Sequence, residues 1–306
     1  MRVPSACCGT FAMKPTRARI PVGPNVGEIW NGLGGNHGIS RSVRDNAALM
    51  DATAGPELGA PYQVAPPSGT FLSATTQPPQ PLNIAFMTQT YFGEAIAPEQ
   101  AEAVTKTAQL LTDLGHQVRE ANFSIDGQLF TQNLNIIIGV NTYLLMQTLA
   151  KLTQTPLSQL PFEPHTQAFG AIGAQCSAAE YGLAIQYTHQ VTAQLAHFFA
   201  EYDCLMTPTI AKYPYPISDC QTGGDDFNFD RYLGECLPYG AFAALYNVSG
   251  NPAMNVPLWW SQDNLPLGIQ IGAAFGNERL LYALAAQLEQ AQPWSDRYPP
   301  NPTIKN

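Results

Sequence analysis

Three candidate nucleophiles lie near the start of the chain, which opens MRVPSACCGTFAMKPT. Ser5 follows a proline, and Cys7 and Cys8 come soon after it in the same short segment. A serine or a thiolate held at such a turn can attack a carbonyl carbon when a base removes its proton. No histidine or lysine is adjacent in sequence to activate either thiol, and free cysteine is among the most buried residue types. Packing is therefore the alternative role for all three side chains.

Two other groups have residue types that can do chemistry, and each has a plainer explanation. His37 in the loop sequence GGNHG can line a substrate entrance or can simply be solvated. Asp225 and Asp226 resemble a paired-carboxylate site, but an acidic pair also favours the start of a helix. The histidines are scattered, and no H-E-x-x-H pattern occurs. We expect no metal site and no cofactor.

The composition is that of a folded protein that is poor in charge. Hydrophobic residues make up 45% of the 306 positions and charged residues 12%, with a formal net charge of -9. Such an acidic chain disfavours nucleic acid and anionic membranes as partners. We predict no apolar run of membrane-spanning length and no signal peptide. The expectation is a cytoplasmic protein whose six cysteines are reduced and mostly buried.

The first half of the chain carries the signals of a parallel β-α-β unit. The opening residues form a helical turn that ends at Gly9 and leads into a strand, TFAMKPT. Ser42 can cap the next helix. NIAFM (83–87) is predicted as a strand, a helix follows over 98–115, and HQVREA returns as a strand. This order predicts a parallel sheet with helices packed against it.

The second half continues with long helices and short apolar strands. Helices are predicted from about Gln128 to Lys151 and from Ala178 to about Tyr202, the second with an apolar stripe in the core. DCLMTPTI, the end of GNPAMNVPLWW, and LGIQIGA are predicted strands. The closing helix, NERLLYALAAQLEQA, has Asn277 as its expected N-cap. Because no long polar linker interrupts these elements, we predict one α/β domain over residues 1–306.

The opening motif resembles a segment of a known family. R-[IV]-P-[AS]-A-x-C-G-x-F-x-x-K-P-[ST], present here as RVPSACCGTFAMKPT, is similar to the segment that follows the nucleophile in the amidase signature family. GEIWNG, SRSVRDNAALMDATAG, CLMTPT, GNPAMNVPLWW, LPLGIQIGA and PWSDRYPP resemble further landmarks in the same order. RVPSACCG, GEIWNG and DATAGPELGAPY look most like the bacterial 6-aminohexanoate-cyclic-dimer hydrolase subgroup. The resemblance implies a mixed central sheet covered by helices on both faces, with N-terminal elements missing.

The resemblance also implies a mechanism, which is nucleophilic acyl transfer at an amide. In the family a serine attacks the carbonyl, a second serine passes protons to a lysine base, and backbone N–H groups receive the oxyanion. Matched by position, the nucleophile is expected immediately before Met1, together with the second serine and the lysine further upstream. The residues that flank the motif here are Arg2, Pro4, Cys8 and Gly9. We therefore expect a truncated C-terminal portion of an amidase that is inactive alone, with Ser5 in a packing role.

One segment bears on the substrate. Family members that act on glutamine carry an aspartate before the proline of a G-x-P-[AG] turn, where it pairs with the substrate ammonium. Tyr239 and Gly240 stand at that place here, and CLPYGAFAALYN contains no carboxylate. Because a buried ammonium without a counter-charge is costly, we expect these residues to line a pocket for a neutral amide. Two alternatives stay open: one piece of a split amidase completed by a separate N-terminal segment, and a non-catalytic remnant that binds amides or a partner.

Overall fold

A computed structural model describes residues 1–214, 216 and 227–298 of the chain. Within those ranges the strands are β1 (Phe11–Lys14), β2 (Ile39–Ser40), β3 (Asn83–Phe86), β4 (Gln117–Glu120), β5 (Cys204–Pro208), β6 (Ala253–Trp260) and β7 (Pro266–Ala273). The helices are α1 (Arg2–Cys8), α2 (Val43–Thr53), α3 (Phe71–Ala74), α4 (Pro98–Asp113), α5 (Gly127–Thr153), α6 (Pro164–Gln175), α7 (Ala178–Phe198), α8 (Phe229–Gly240), α9 (Ala243–Ser249) and α10 (Glu278–Ala291). A 3-10 turn (Leu157–Gln159) lies between α5 and α6.

The seven described strands form one mixed sheet in the order β2-β1-β6-β7-β5-β3-β4. β3 runs parallel to both β4 and β5. The remaining neighbours, from β5 through β7, β6 and β1 to β2, pair antiparallel. The parallel β3-α4-β4 unit confirms the predicted β-α-β unit, and the sheet as a whole is mixed, as the resemblance implies.

Helices cover both faces of this sheet, and β5 shows the division. Successive residues of a strand point to opposite faces. Cys204 and Met206 lie in a hydrophobic cluster with residues of α2, α3, α4 and α10, whereas Leu205 lies in a second cluster with residues of α5, α7 and α9. We call these two faces of the sheet the α10 side and the α5 side.

A buried ion pair joins α10 to the segment that follows β1. The Nε and Nη2 atoms of Arg19 donate to the Glu278 carboxylate at 2.9 and 3.1 Å, and the Thr16 N–H donates to the same group at 3.0 Å. Both charged side chains are almost fully buried. Asn277 lies at the N-cap position of α10 as predicted, but its side chain makes no cap hydrogen bond, and its backbone (φ −91°, ψ 34°) is not in the extended conformation typical of N-caps.

Other helix starts follow the predicted chemistry. The Ser42 hydroxyl accepts the Asp45 N–H at 3.1 Å at the start of α2. α7 begins with a reciprocal capping box between Ser177 and Glu180. Of its predicted apolar stripe, Thr188, Val191 and Leu195 are buried. The remaining members, Tyr181, Ile185 and Phe198, are partly buried and pack against the core cluster of the α5 side.

Small residues let α5 and α6 approach closely. A Cβ atom added at Gly173 would lie 2.2 Å from the Gly139 carbonyl oxygen, and one added at Gly170 would lie 2.4 Å from the Met146 sulfur. No side chain larger than hydrogen fits at Gly173 without moving backbone. The two helices therefore form a fixed pair on the α5 side.

α5 differs from the sequence prediction in one respect. It is the one helix in the described ranges that is long and apolar enough to cross a membrane by length and composition, with a mean hydropathy of 1.2 over its most apolar window. The prediction that no such run exists was wrong for this helix. A single helix of this kind is weak evidence for a membrane protein, because core helices pass the same test. Only 17% of that window is buried.

The prediction of mostly buried cysteines was also wrong. Among the described cysteines Cys204 is buried, Cys7 and Cys176 are partly exposed, and Cys8 and Cys236 are exposed. The reason at the start of the chain is geometric, because α1 buries Arg2, Ser5 and Ala6 and leaves its last two residues outside. Cys220 lies outside the described residues.

Candidate active site

The first helix is held in place by its serine and its terminal glycine. Ser5 is fully buried, and its hydroxyl donates to the Thr10 carbonyl at 2.7 Å. α1 ends at Gly9, whose φ of 64° is the left-handed conformation that glycine adopts without strain. The position of Ser5 gives it a packing role. Pro4 and Cys8 of the predicted flanking residues are exposed on this helix.

Arg2 fastens the start of α1 to two other elements. Its Nη1 atom donates to Gln270 Oε1 on β7 at 2.6 Å. Its Nη2 atom donates to the Ala243 carbonyl at 2.7 Å and to Asn247 Oδ1 at 2.5 Å, both on α9. Gln270 in turn donates to the Phe242 carbonyl at 3.1 Å. The second residue after the predicted nucleophile position is thus fixed between the sheet and α9.

The surroundings of Arg2 are polar but contain no carboxylate among its hydrogen-bond partners. Burial lowers the pKa of Arg2 to about 10, so its guanidinium stays charged at neutral pH. The ring of Tyr246 lies 5.5 Å from the guanidinium carbon. Burial raises the pKa of Tyr91 to about 12 and that of Tyr246 well above its usual range. Neither phenol oxygen has a well-formed hydrogen bond within the described structure.

An apolar cavity of about 310 Å³ lies between α5, α6, α8 and the segment that leads into α9. Its lining residues are Trp30, Phe92, Phe130, Thr131, Leu134, Asn135, Ile138, Phe169, Tyr232, Leu233, Cys236, Gly240, Ala241 and Ala244. None of these described lining residues is charged, and none is a serine or a lysine. The polar groups that face a bound molecule there are few, which is typical of a small-molecule site.

Of the two residues predicted to line a substrate pocket, Gly240 lines this cavity and Tyr239 does not. The Tyr239 hydroxyl instead donates to the Tyr213 carbonyl at 2.6 Å. Gly240 ends α8, and it has open space around the position of a Cβ atom. The assignment of both residues to a substrate site stays a prediction.

The cavity and the start of the chain meet at α9. Ala241 and Ala244 line the cavity, and Ala243 between them accepts the hydrogen bond from Arg2. One short segment therefore contacts both features.

A second, smaller cavity of about 60 Å³ lies on the other side of the loop that carries Trp30. Lys14 and Arg17 line it. Lys14 is buried, and its ammonium donates to the Pro15 carbonyl at 2.7 Å. Burial, followed by the nearby charges of Arg2 and Arg17, holds the pKa of Lys14 well below its usual range. Arg17 is occupied by the carbonyls of Gly32, Asn247 and Val248 at 2.8 to 3.0 Å.

The remaining candidates from the sequence are His37 and an acidic pair. His37 is half-buried, and its Nε2 atom lies 3.0 Å from Asn46 Oδ1 on α2. Burial lowers its pKa, and a place at a substrate entrance stays a prediction. Asp225 and Asp226 lie outside the described residues. Within the part of the chain that the structure describes, no three His, Cys, Asp or Glu side chains gather as a metal site.

Sequence reasoning missed most of the cavity. Phe130, Leu134 and Ile138 follow one another at four-residue spacing on α5, which is a signal for one helix face. That signal does not say whether the face meets a core or a ligand. Trp30, Phe92 and Phe169 come from three separate segments, so their convergence is a property of the tertiary fold.

Comparison with protein families and with known proteins shows which proteins this chain resembles. The family model described as Amidase matches residues 1–282. A 6-aminohexanoate-cyclic-dimer hydrolase from Paenarthrobacter ureafaciens is 30% identical over 315 aligned residues, which cover 100% of this chain and 64% of that protein. A putative amidase AmiC from Mycobacterium leprae is 31% identical over 307 residues, which cover 96% of this chain and 60% of that protein.

The fold agrees with the sequence comparison. A solved structure of 6-aminohexanoate cyclic dimer hydrolase complexed with substrate matches with a TM-score of 0.89 and 29% identity, over 97% of this chain and 64% of that one. The chain thus spans less than two thirds of the length of these relatives.

Proposed function

The chain belongs to the amidase signature family, and on that premise we propose that it forms the substrate-binding portion of a hydrolase for small, uncharged linear or cyclic amides. Enzymes of this family act on carbon–nitrogen bonds. The proposal assigns the acyl pocket to the cavity between α5, α8 and α9, next to Arg2. It places the groups that make and break bonds in polypeptide that precedes Met1.

The proposed reaction is acyl transfer through a serine. The serine oxygen attacks the amide carbonyl and forms a carbon–oxygen bond, and its proton passes through the second serine and the lysine to the departing amine. Water then cleaves the acyl-enzyme and releases the acid. Arg2 acts as a positioning residue, because its bonds to Gln270, Ala243 and Asn247 fix the chain two residues after the proposed nucleophile. By this proposal the chain alone has no amidase activity.

The observation that carries the substrate class is the uncharged lining of the 310 Å³ cavity. A substrate ammonium or carboxylate buried there would lose its hydration and meet no opposite charge. An apolar amide buries its carbon chain against Phe130, Leu134 and Ile138 instead. The missing aspartate near Gly240 supports the same choice against free glutamine. The named substrate of the Paenarthrobacter relative, a cyclic dimer, is one molecule of this class.

The test compares the chain alone with a fusion. The fusion, which we call the chimera, places before Met1 the part of the Paenarthrobacter ureafaciens hydrolase that has no counterpart in this chain. We expect the chain alone to leave every amide uncleaved and to stay unlabelled by a serine-directed fluorophosphonate. The chimera should be labelled and should cleave neutral amides in preference to glutamine. Turnover by the chain alone contradicts the proposal, and so does a preference for glutamine.

A matched pair of variants tests the cavity within the chimera. Ala244→Asp places a carboxylate in the lining and should raise KM for neutral amides by about tenfold or more, because an unpaired charge there must be neutralised or solvated. Ala52→Asp on the exposed surface of α2 is the control and should leave KM unchanged. Equal KM values for the two variants would mean that the substrate does not bind in this cavity.

Two other arrangements use the same cavity. The missing segment can be a separately encoded chain, in which case the enzyme is split and the two chains restore activity together. The other is a non-catalytic protein that binds amides, which is favoured by a cavity whose described lining has no serine or lysine. Calorimetry with a neutral amide distinguishes it, since binding without turnover in any complemented form supports that candidate. Cytoplasmic localisation stays a prediction in each case.

A further inference from the structure

A short turn beside the apolar cavity has a backbone conformation that is rare outside glycine. Trp30, Asn31 and Gly32 are consecutive residues with φ values of 51°, 49° and 79°. L residues reach this left-handed region at a steric cost, and they do so as single residues rather than in runs. Every other left-handed non-glycine residue in the described ranges is isolated. We call residues 30–32 the left-handed turn.

Side chains from distant segments hold the left-handed turn. The Nε atom of Arg17 donates to the Gly32 carbonyl at 2.8 Å. On α9, the Nδ2 atom of Asn247 donates to the Leu33 carbonyl at 2.7 Å. Leu33 itself is buried in the core cluster of the α5 side. The surrounding fold therefore enforces a conformation that a short peptide would not keep by itself.

The middle residue connects the left-handed turn to two helices of the α5 side. Asn31 Oδ1 accepts a hydrogen bond from the Asn141 amide on α5 at 3.3 Å, and the Tyr181 hydroxyl on α7 donates to the same atom. Asparagine enters the left-handed region more readily than most residues, so Asn31 suits its place. A bulky residue such as Trp30 does not, and its conformation there is an outlier.

The indole of Trp30 is not buried in exchange for this strain. It is 42% exposed, although it lines the cavity of about 310 Å³. Among the described aromatic residues of that lining, it is the one whose side chain is exposed. A strained residue persists at a functional site where the strain has a use. A molecule in the cavity that covers the indole would bury apolar surface and offset the cost.

We propose that Trp30 is a specificity-determining residue, whose indole packs against the apolar chain of a neutral amide bound in the cavity. The inference rests on the proposed function, which places the amide there. It adds that the left-handed turn fixes the indole before the amide binds, because Arg17, Asn247 and Asn141 hold the residues that follow it. Amides with a chain long enough to reach the indole are therefore selected over short ones.

The first experiment compares hexanamide with acetamide, by calorimetry in the chain and by KM in the chimera. Trp30→Asn removes the indole and introduces a residue that tolerates the left-handed conformation. We expect this variant to bind hexanamide about tenfold more weakly, because the exposed indole surface is no longer buried. Its affinity for acetamide should change by less than about twofold. Phe275→Asn is the control, since Phe275 is 54% exposed outside the cavity, and should leave both affinities within about twofold.

Urea unfolding separates a role in specificity from a role in the fold. Trp30→Asn should keep the unfolding midpoint of the native chain or raise it, because asparagine relieves backbone strain at this position. A lower midpoint together with equal losses for hexanamide and acetamide would show that Trp30 serves the fold, and it would overturn the proposal.

Fluorescence tests the contact itself in a conservative variant. Trp30→Phe keeps an aromatic ring beside the cavity and should bind hexanamide within about threefold of the native chain. The chain has four tryptophans. Hexanamide should shift their emission to shorter wavelength in the native chain, because one indole leaves water, and Trp30→Phe should bind without this shift. An equal shift in both proteins contradicts contact with Trp30.

The outcomes distinguish this inference from the proposed function. Selective loss of hexanamide binding by Trp30→Asn in a chimera without turnover supports the role of Trp30 and counts against the function. Turnover of hexanamide with a KM that Trp30→Asn leaves unchanged overturns the role of Trp30 alone. Failure of both the chain and the chimera to bind hexanamide counts against both.

Discussion

The two sides of the sheet differ in how their buried arginines are paired. On the α10 side Arg19 meets the Glu278 carboxylate through two hydrogen bonds, and the surrounding cluster is closed. On the α5 side the buried Arg2 meets only neutral acceptors, next to two phenols without well-formed hydrogen bonds. A cavity and four exposed leucines of α5 (Leu144, Leu145, Leu149 and Leu152) lie on that side as well. Among the described residues, the α10 side pairs its buried charge with an opposite charge, and the α5 side does not do so for Arg2.

If the proposed function is right, stability depends mainly on the α10 side of the sheet and substrate binding on the α5 side. Changes on the α10 side should act on the free energy of unfolding. On the α5 side, changes should lower the free energy of unfolding only where α5 is packed. Changes at the cavity should instead alter substrate binding. Substitutions on each side of the sheet test this difference between stability and binding.

The largest expected effect is the loss of the buried pair on the α10 side. Glu278→Gln leaves the Arg19 guanidinium buried without a counter-charge and should lower the free energy of unfolding by about 3–5 kcal/mol. Urea unfolding followed by circular dichroism measures it. Glu102→Gln, which breaks the exposed Glu102–Lys106 pair, is the control and should cost less than about 1 kcal/mol. Equal costs would mean that the α10 side does not depend on this pair.

The two halves of α5 provide the second comparison. Ile137→Ala opens space in the packed half and should cost about 2–5 kcal/mol in the free energy of unfolding. Leu145 lies in the second half of α5 and is exposed, so Leu145→Ala should change the free energy of unfolding by less than about 0.5 kcal/mol in the chain alone. Thermal and urea unfolding of both variants test this. A large cost at Leu145 would show that the second half of α5 is packed as well.

A smaller effect is expected where α5 meets α6. Gly173→Ala forces a Cβ atom to within 2.2 Å of the Gly139 carbonyl and should cost about 1–3 kcal/mol. Gly182→Ala on α7 is the matched control, because nothing lies within 4 Å of its added Cβ atom. Gly182→Ala should raise the free energy of unfolding by about 0.5–1 kcal/mol, since alanine favours the helix more than glycine does. If Gly173→Ala raises it as well, α5 and α6 do not approach as closely as described.

The smallest effect is a dependence on pH. Although burial alone raises it, the hydrogen bond and charge of Arg19 hold the pKa of Glu278 below the usual 4.5. The stability that this group contributes is therefore complete above about pH 4.5 and is lost as the pH falls through the lowered pKa of the folded state. Urea unfolding between pH 6 and pH 3 should show this loss in the native chain and a smaller one in Glu278→Gln. Parallel pH profiles for the two proteins would contradict it.

Local signals allowed the regular elements to be predicted well. The cap at Ser42, the left-handed end of α1 at Gly9 and the unit formed by β3, α4 and β4 follow from residue types over a few positions. Asn277 shows the limit of such signals, because it lies at the N-cap position of α10 but its side chain makes no cap hydrogen bond. The motif predicts Arg2 two residues after the nucleophile, but its acceptors on α9 and β7 are distant in sequence.

The cavity was harder to predict because it depends on contacts between distant segments. Trp30, Phe92 and Tyr232 reach it from different parts of the chain, and no periodicity relates them. The exposure of four leucines on α5 was also missed, because these residues have the spacing of a core helix: Leu144, Leu145, Leu149 and Leu152. Hydrophobic spacing identifies an apolar face. It does not identify whether the rest of the fold covers that face.

The position of β1 in the sheet has a consequence for synthesis in the cell. β1 pairs with β6, with Ala12 opposite Asn255, so β1 is synthesised long before one of its two neighbouring strands. At about 5–20 residues per second a ribosome takes on the order of 10–50 s to deliver β6. Phe11 and Met13, which are fully buried in the finished fold, remain through that interval with only the two-residue strand β2 beside them. Chaperone capacity during translation, more than final stability, should therefore set how much folded protein a cell obtains.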